Sequence, residues 1–280
     1  MKIRTVRRTY PGTPSTDGAG VHLNRIFANQ DTFDLDPFLL LDYFDATDPA
    51  LYTKEFPWHP HRGIETITYL MDGLLEHGDS LGNSGVIEPL GCQWMTAGSG
   101  IIHQEMPQAA DHMHGAQLWL NLPRKDKMTE PAYRDITAAD LAVYEDEDVL
   151  LRVICGEYKG HVGPVKGTYV EPFYFDLEIK PGGTFTMDVE QEETVFLLLV
   201  KGGVTVAEED TYHKADTKGL LLTRGDTIQL TSAEGMRCLM MAGMPLREPV
   251  AWGGPIVMNT RAELRQAFTE LDEGTFIKKQ

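Results

Sequence analysis

The chain is poor in cysteine, and its basic residues are outnumbered by acidic ones. Cys92, Cys155 and Cys238 are the only thiols among 280 residues, with no C-x-x-C pair and no regular spacing, which excludes a disulfide framework and a cysteine-rich zinc site. Such thiol use fits a reducing compartment, and a cytoplasmic location is expected. Twenty-five Lys and Arg face 42 Asp and Glu, for a net charge of −17. A surface of that sign repels phosphate backbones and anionic lipid, so direct contact with nucleic acid or a membrane is not expected. No run approaches the ~20 apolar residues of a bilayer span. The start MKIRTVRRTYPGT lacks a signal-peptide apolar stretch, and Ile3, Thr5 and Val6 read as an edge strand. Missing too are a G-x-S-x-G elbow, a G-x-x-x-x-G-K-[ST] phosphate loop and a G-x-G-x-x-G turn after a strand, which disfavours nucleotide hydrolysis.

With 42% hydrophobic and 9% aromatic residues the chain is globular. Its 27 glycines and 16 prolines are spread between short apolar runs, the texture of an all-β protein. Strands are expected at Gly20–Phe27, Pro37–Tyr43, Ile64–Asp72, Leu74–Asp79, Val86–Leu90, Gln93–Thr96, Ile101–Met106 and Gly115–Leu122. Asp72-Gly73 should close a tight hairpin, and Gly98-Ser99-Gly100 reads as a turn. From Asp135 to Asp148 the chain is acidic, and a Gly-rich stretch from Gly156 to Gly167 follows. This divides the sequence into a first β unit over residues 1–134, a crossover over 135–167, and a second β unit over 168–280. A helix closes the second unit, with Asn259 or Thr260 as cap, Glu263 as capping-box partner and Leu264, Ala267, Phe268 and Leu271 as its apolar stripe.

Of nine histidines, six lie between residues 59 and 114. In His59-Pro60-His61 the i, i+2 spacing puts both imidazoles on one face of an extended strand, and Pro60 argues against a helix. His103-Gln104-Glu105 repeats the spacing in another β-like run, so two facing strands would offer three imidazoles and a carboxylate. That set leaves open positions on an octahedral divalent ion and suits Fe(II), while Zn, Ni, Cu and Mn stay open as alternatives. Glu65, four residues after His61, would share the face if the strand ran on, and serves as a fifth ligand or as a partner orienting an imidazole, although Gly63 could break the alternation. His112-Met113-His114 is a rival pair without a second half, with His114 expected beside the strand that follows. His77 reads as a surface or hydrogen-bonded histidine, and Cys92 as a small buried hydrophobe.

Several blocks together resemble the pirin family of the cupin superfamily: Asp36-Pro37-Phe38-Leu39-Leu40-Leu41-Asp42, His59-Pro60-His61-Arg62-Gly63-Ile64-Glu65-Thr66, Gly100-Ile101-Ile102-His103-Gln104-Glu105-Met106 and Gln117-Leu118-Trp119-Leu120-Asn121-Leu122-Pro123. The likeness spans nearly the whole chain and departs from the family pattern at Gly78 and at Leu90-Gly91-Cys92, positions that bear on pocket shape. It implies a bicupin, two tandem cupin β-barrels with a short C-terminal α-helix and metal in the first barrel alone. Carried over residue by residue, the family's iron ligands correspond to His59, His61, His103 and Glu105, with Glu65 outside the ligand set. The second barrel, with His213 standing alone, would lack a metal and serve as a lid or dimer-like face.

The resemblance implies quercetin 2,3-dioxygenase activity, with a small aromatic substrate and O2 as partners and Glu105 as the base that takes the flavonol hydroxyl proton. The rival it implies is a non-enzymatic, iron-dependent regulator that binds a protein partner, as in transcription cofactors.

Overall fold

The computed structural model describes residues 2–167 and 169–278. Thr168, where the sequence reading begins the second unit, lies outside the described residues. The fold is that of two cupin domains, mostly β, with a short C-terminal helix.

The first compact unit comprises Thr13–Phe33, Phe38–Ala139 and the segment from Leu246 onward. Its larger sheet has seven strands in the order Ala132–Ile136, Cys92–Thr96, Ile64–Asp72, Met113–Asn121, Phe38–Ala46, Val21–Phe27 and Thr13–Asp17. A four-stranded sheet runs Phe56–His61, Ile101–Gln108, Leu74–Asp79, Ser84–Ile87. Strand alternation is clear in Ile101–Gln108, where Ile101, His103, Glu105 and Pro107 are buried and the intervening residues are half-buried. Ile64–Asp72 and Leu74–Asp79 belong to different sheets, so Gly73 does not close the expected hairpin. With φ of +97°, Gly73 instead redirects the chain from one sheet to the other, close against Met113.

Residues through Gly12, Asp34–Pro37 and Asp140–Pro245 form the other unit. Its ten-stranded sheet includes Val6–Tyr10, Gly219–Leu222, Thr194–Val206, Met236–Gly243, Phe173–Ile179, Val149–Cys155 and Ala142–Glu145 in sheet order. Its core is a continuous cluster of 22 buried apolar residues.

This division exchanges both ends of the chain relative to the sequence reading. The edge strand is Val6–Tyr10; of the expected Ile3, Thr5 and Val6 only the last lies in it, and it pairs antiparallel with Gly219–Leu222 in the second unit. The terminal segment goes the other way. Its hairpin Ala251–Gly253/Ile256–Met258 and its helix Arg261–Asp272 belong to the first unit, because Ile256, Met258, Ala267 and Phe276 are buried in one cluster with Ile102 packed against it. Thr260 caps the helix: its hydroxyl accepts from the Glu263 N–H, and the Glu263 carboxylate accepts from the Thr260 N–H. Phe268 does not join the buried stripe; it is 39% exposed, with its ring over Gly253.

Candidate metal centre

Two antiparallel neighbours, Phe56–His61 and Ile101–Gln108, carry the site. His59 is directly opposite His103, and His61 stands opposite Ile101 two residues along the same face. The rings converge, with centroids 4.8 Å apart for His59–His61, 4.3 Å for His59–His103 and 5.0 Å for His61–His103. Two nitrogens each about 2.1 Å from one ion stand at most about 4.2 Å apart. The three imidazoles offer ligand atoms within 4.8 Å of one another, so small side-chain adjustments bring all three onto a single cation.

Hydrogen bonding and burial suit these rings to a ligand role. The His59 Nδ1–H donates to the Pro57 carbonyl at 2.8 Å and the His61 Nδ1–H to the Pro255 carbonyl at 3.1 Å, since a carbonyl can only accept. Each bond leaves Nε2 as the lone-pair atom, which is how a protein orients a ligating imidazole. Burial draws the His61 pKa down to about 3, with the neighbouring His59 adding to the fall and the Pro255 bond opposing it. Burial likewise takes His103 well below the ordinary histidine value. Both nitrogens of His103 are buried with no hydrogen-bond partner, a costly state that coordination of one of them would relieve. The residues therefore fit a divalent metal ion.

Glu105 stands outside this compact histidine group but lines the same cavity. The pairing with Phe56–His61 slips between His103 and Glu105, which sets Glu105 opposite Phe56. Gln117 Nε2 donates to both carboxylate oxygens, at 3.0 and 3.1 Å, and the Thr68 hydroxyl donates at 3.2 Å. The Trp119 indole N–H donates to Gln117 Oε1 at 3.2 Å, which fixes the amide with its NH2 toward the carboxylate. Burial pushes the Glu105 pKa up, against the opposing pulls of His59, Gln117 and Thr68.

The cavity has a volume of about 570 Å³, within the usual range for small-molecule sites. His59, His61 and Glu105 line it together with the stacked indoles of Trp119 and Trp252, whose centroids are 5.7 Å apart. Arg25, bound bidentately to buried Asp42 at 2.8 and 2.7 Å, contributes a polar wall.

Glu65 corrects the sequence reading. The strand that carries His61 ends there, Gly63 turns the chain with φ of +77°, and a new strand begins at Ile64 in the other sheet. Thr68 reaches Glu105, so alternation sends Glu65 to the opposite face, where Thr96 donates to it at 2.6 Å. It orients no imidazole of the cluster. The rival pair is also accounted for: His112 is held by Asp45 at 2.9 Å, His114 by the Tyr43 hydroxyl at 2.9 Å, and neither joins the cluster. His77 is buried rather than superficial, with Nε2 bonded to the Tyr133 hydroxyl.

Several contributors escaped sequence reasoning, among them Gln117, Trp119 and Pro255. Gln117 and Trp119 alternate on one strand face and were readable as an inward pair, whereas Pro255, 194 residues from His61, carries no local signal.

A cupin domain whose cavity is lined by clustered imidazoles defines the metal-site class of cupins. Within that class, the chain belongs to the pirin family. The family model "Pirin" matches residues 20–120 and "Pirin C-terminal cupin domain" matches residues 174–277. A "Pirin-like protein" of Caulobacter vibrioides is 42% identical across 99% of this chain and all of its own length. "Pirin" of Homo sapiens is 36% identical over 91% of this chain and 88% of its own. The crystal structure of "Quercetin 2,3-dioxygenase from Acinetobacter baumannii" superposes with a TM-score of 0.87 at 31% identity, covering 98% of each chain.

Proposed function

We propose that this protein is a metal-dependent dioxygenase, loaded with Fe(II), that opens the ring of a flavonol such as quercetin with O2. The observation that carries the reading is the convergence of three imidazoles beside a cavity that His59 and His61 line together with the stacked indoles of Trp119 and Trp252. Likeness to a structurally characterised quercetin 2,3-dioxygenase at 31% identity supports it. In this reading His59, His61, His103 and Glu105 hold the metal, which when bound supplies Lewis acidity and access to the one-electron chemistry that dioxygen requires. Zn, Ni, Cu and Mn suit the same donors and are the alternatives.

The chain's own residues do the rest. Trp119 and Trp252 offer flat apolar faces to an aromatic ring, and the Arg25–Asp42 pair meets its hydroxyl groups. Glu105 takes the proton of the flavonol hydroxyl at a carboxylate oxygen, held in place by Gln117. The apolar part of the cavity lining, Leu40, Phe44, Trp119 and Trp252, limits water around the deprotonated ring. Three buried free thiols fit the cytoplasm as the place of action.

The test is anaerobic loading of apo-protein with Fe(II), followed by quercetin and O2. Loss of the flavonol absorbance, with stoichiometric O2 uptake dependent on metal, is expected. Full metal loading without turnover across a flavonol panel would defeat the enzyme reading in favour of an iron-dependent regulator that binds a protein partner.

A further inference from the structure

Lys127 is 2% exposed, and among the described residues its ammonium bonds to no carboxylate. It donates to three neutral acceptors: the Gly63 carbonyl at 2.8 Å, Asn121 Oδ1 at 2.7 Å and the Val257 carbonyl at 3.0 Å. A buried cation with only neutral partners is expensive to keep. Burial draws its pKa down to about 7, against the opposing pull of the more distant Glu248 and Glu263. Such a cost points to a role that a neutral side chain does not fill.

The acceptors show what that role is. Gly63 lies two residues beyond His61, and Val257 lies two residues beyond Pro255, the carbonyl that orients the His61 ring. The two backbones run side by side there, joined by the Val257 N–H donating to the Arg62 carbonyl at 3.1 Å and by the bridge between Arg62 and Ile256. They pass so close that a Cβ on Gly63 would fall 2.0 Å from the Val257 oxygen. Two carbonyl oxygens, Gly63 and Val257, are thus drawn to one ammonium at the point of closest approach.

We propose that Lys127 is the positioning residue for His61: its ammonium ties the strand end that carries the imidazole to the hairpin carbonyl that fixes the ring's tautomer. Ring orientation, and through it metal affinity, then depends on a residue that touches neither metal nor substrate. The same hairpin supplies Trp252 to the cavity, so the tie also sets the height of that wall. This inference rests on the reading of His61 as a metal ligand.

The test compares wild-type and Lys127→Met protein by Co(II) titration and by nitrogen-15 NMR of the histidine rings. The wild type should show His61 with a protonated Nδ1 and a saturable Co(II) site. The variant should bind Co(II) at least about tenfold more weakly, the usual scale for loss of an outer partner of a metal ligand, and should lose the single His61 tautomer. Loss of stability alone would not move the tautomer. Where Lys127→Met does not fold, Lys127→Gln, which keeps amide donors on a shorter stem, carries the comparison. An unchanged tautomer with Co(II) affinity within twofold of wild type would overturn the proposal. A wild-type protein that binds no Co(II) would instead defeat the metal reading, and the tautomer would then decide the role of Lys127 alone.

Discussion

Replacing Gly63 by alanine tests how tightly the metal-bearing strand is keyed to the terminal hairpin. Gly63 has φ of +77°, and a Cβ there would meet the Val257 carbonyl oxygen at 2.0 Å and Met258 Sδ at 3.3 Å. The first contact is more than an ångström too short and falls on backbone, so no side-chain rotation relieves it. Gly82 supplies the control, because it has φ of +90° and nothing within 4 Å of its Cβ position. The left-handed backbone alone costs alanine roughly 1–2 kcal/mol, and the stiffer unfolded chain returns about 0.4–1 kcal/mol of that. Gly82→Ala should therefore lose about 0–1.6 kcal/mol. Gly63→Ala adds about 1–3 kcal/mol of overpacking against a fixed carbonyl, for a total of about 1–5 kcal/mol. Urea denaturation of the two apo-variants beside wild type measures the difference. Equal midpoints for the two variants would refute the close approach, and with it the account of how the hairpin is seated.

His61→Ala and His103→Ala should each abolish stoichiometric Fe(II) or Co(II) loading, while His112→Ala, whose ring is held by Asp45, should leave loading intact; elemental analysis with the opposite pattern would move the site. Acid should destabilise the apo-protein through His61. Its folded pKa of about 3 lies below the ordinary value of 6.5, so the unfolded chain binds the proton first. The contribution is fully present above pH 6.5 and is lost as pH falls toward 3, reaching at most about 5 kcal/mol. His61→Phe should flatten that slope in denaturation measured from pH 7 to pH 4, and an unaltered slope would contradict the assignment. Gln117→Leu strips two donors from Glu105 and leaves its carboxylate poorly held. Flavonol turnover should drop by about tenfold to a hundredfold while the metal content changes less; unimpaired kcat would remove Gln117 from the machinery.

What the sequence revealed was what strand geometry makes local. His59 with His61 and His103 with Glu105 are readable because alternate residues of a strand share a face, whatever the strand pairs with. The expectation failed for Glu65 because the same rule was carried across Gly63, where the chain leaves one sheet and enters another. It failed for Gly73 in the same way, since a glycine with positive φ marks a turn without saying whether the next strand returns to its neighbour. Pro255 and Lys127 were invisible for a different reason. One acts through a carbonyl that every residue possesses, and the other is a lysine whose burial no neighbouring residue announces. Domain membership of the ends was likewise beyond reach, because edge pairing by Val6–Tyr10 and docking of the terminal helix depend on partners more than a hundred residues away.

The two cupin domains differ most in what points inward, and that difference predicts where metal should be felt. The second unit has an apolar core in which the thiol of Cys238 is pushed well above its usual pKa by burial, and the histidine group that could hold a metal among the described residues belongs to the first unit. The first unit keeps His103 buried with both nitrogens unpartnered, so its apo form carries a desolvation cost that coordination removes. Binding to the folded state alone stabilises by mass action, about 4 kcal/mol when free metal is a thousandfold above Kd. Amide hydrogen exchange with and without Co(II) resolves where this appears. Protection should rise in Phe56–His61 and Ile101–Gln108, the paired strands that carry the ligands, and in the hairpin that holds Pro255, whose carbonyl moves with the His61 ring. Phe173–Ile179 and Val149–Cys155 should gain no comparable protection, because neither strand carries a histidine of the cluster. Equal gains in both sets of strands would mean that the ion binds elsewhere than the histidine cluster.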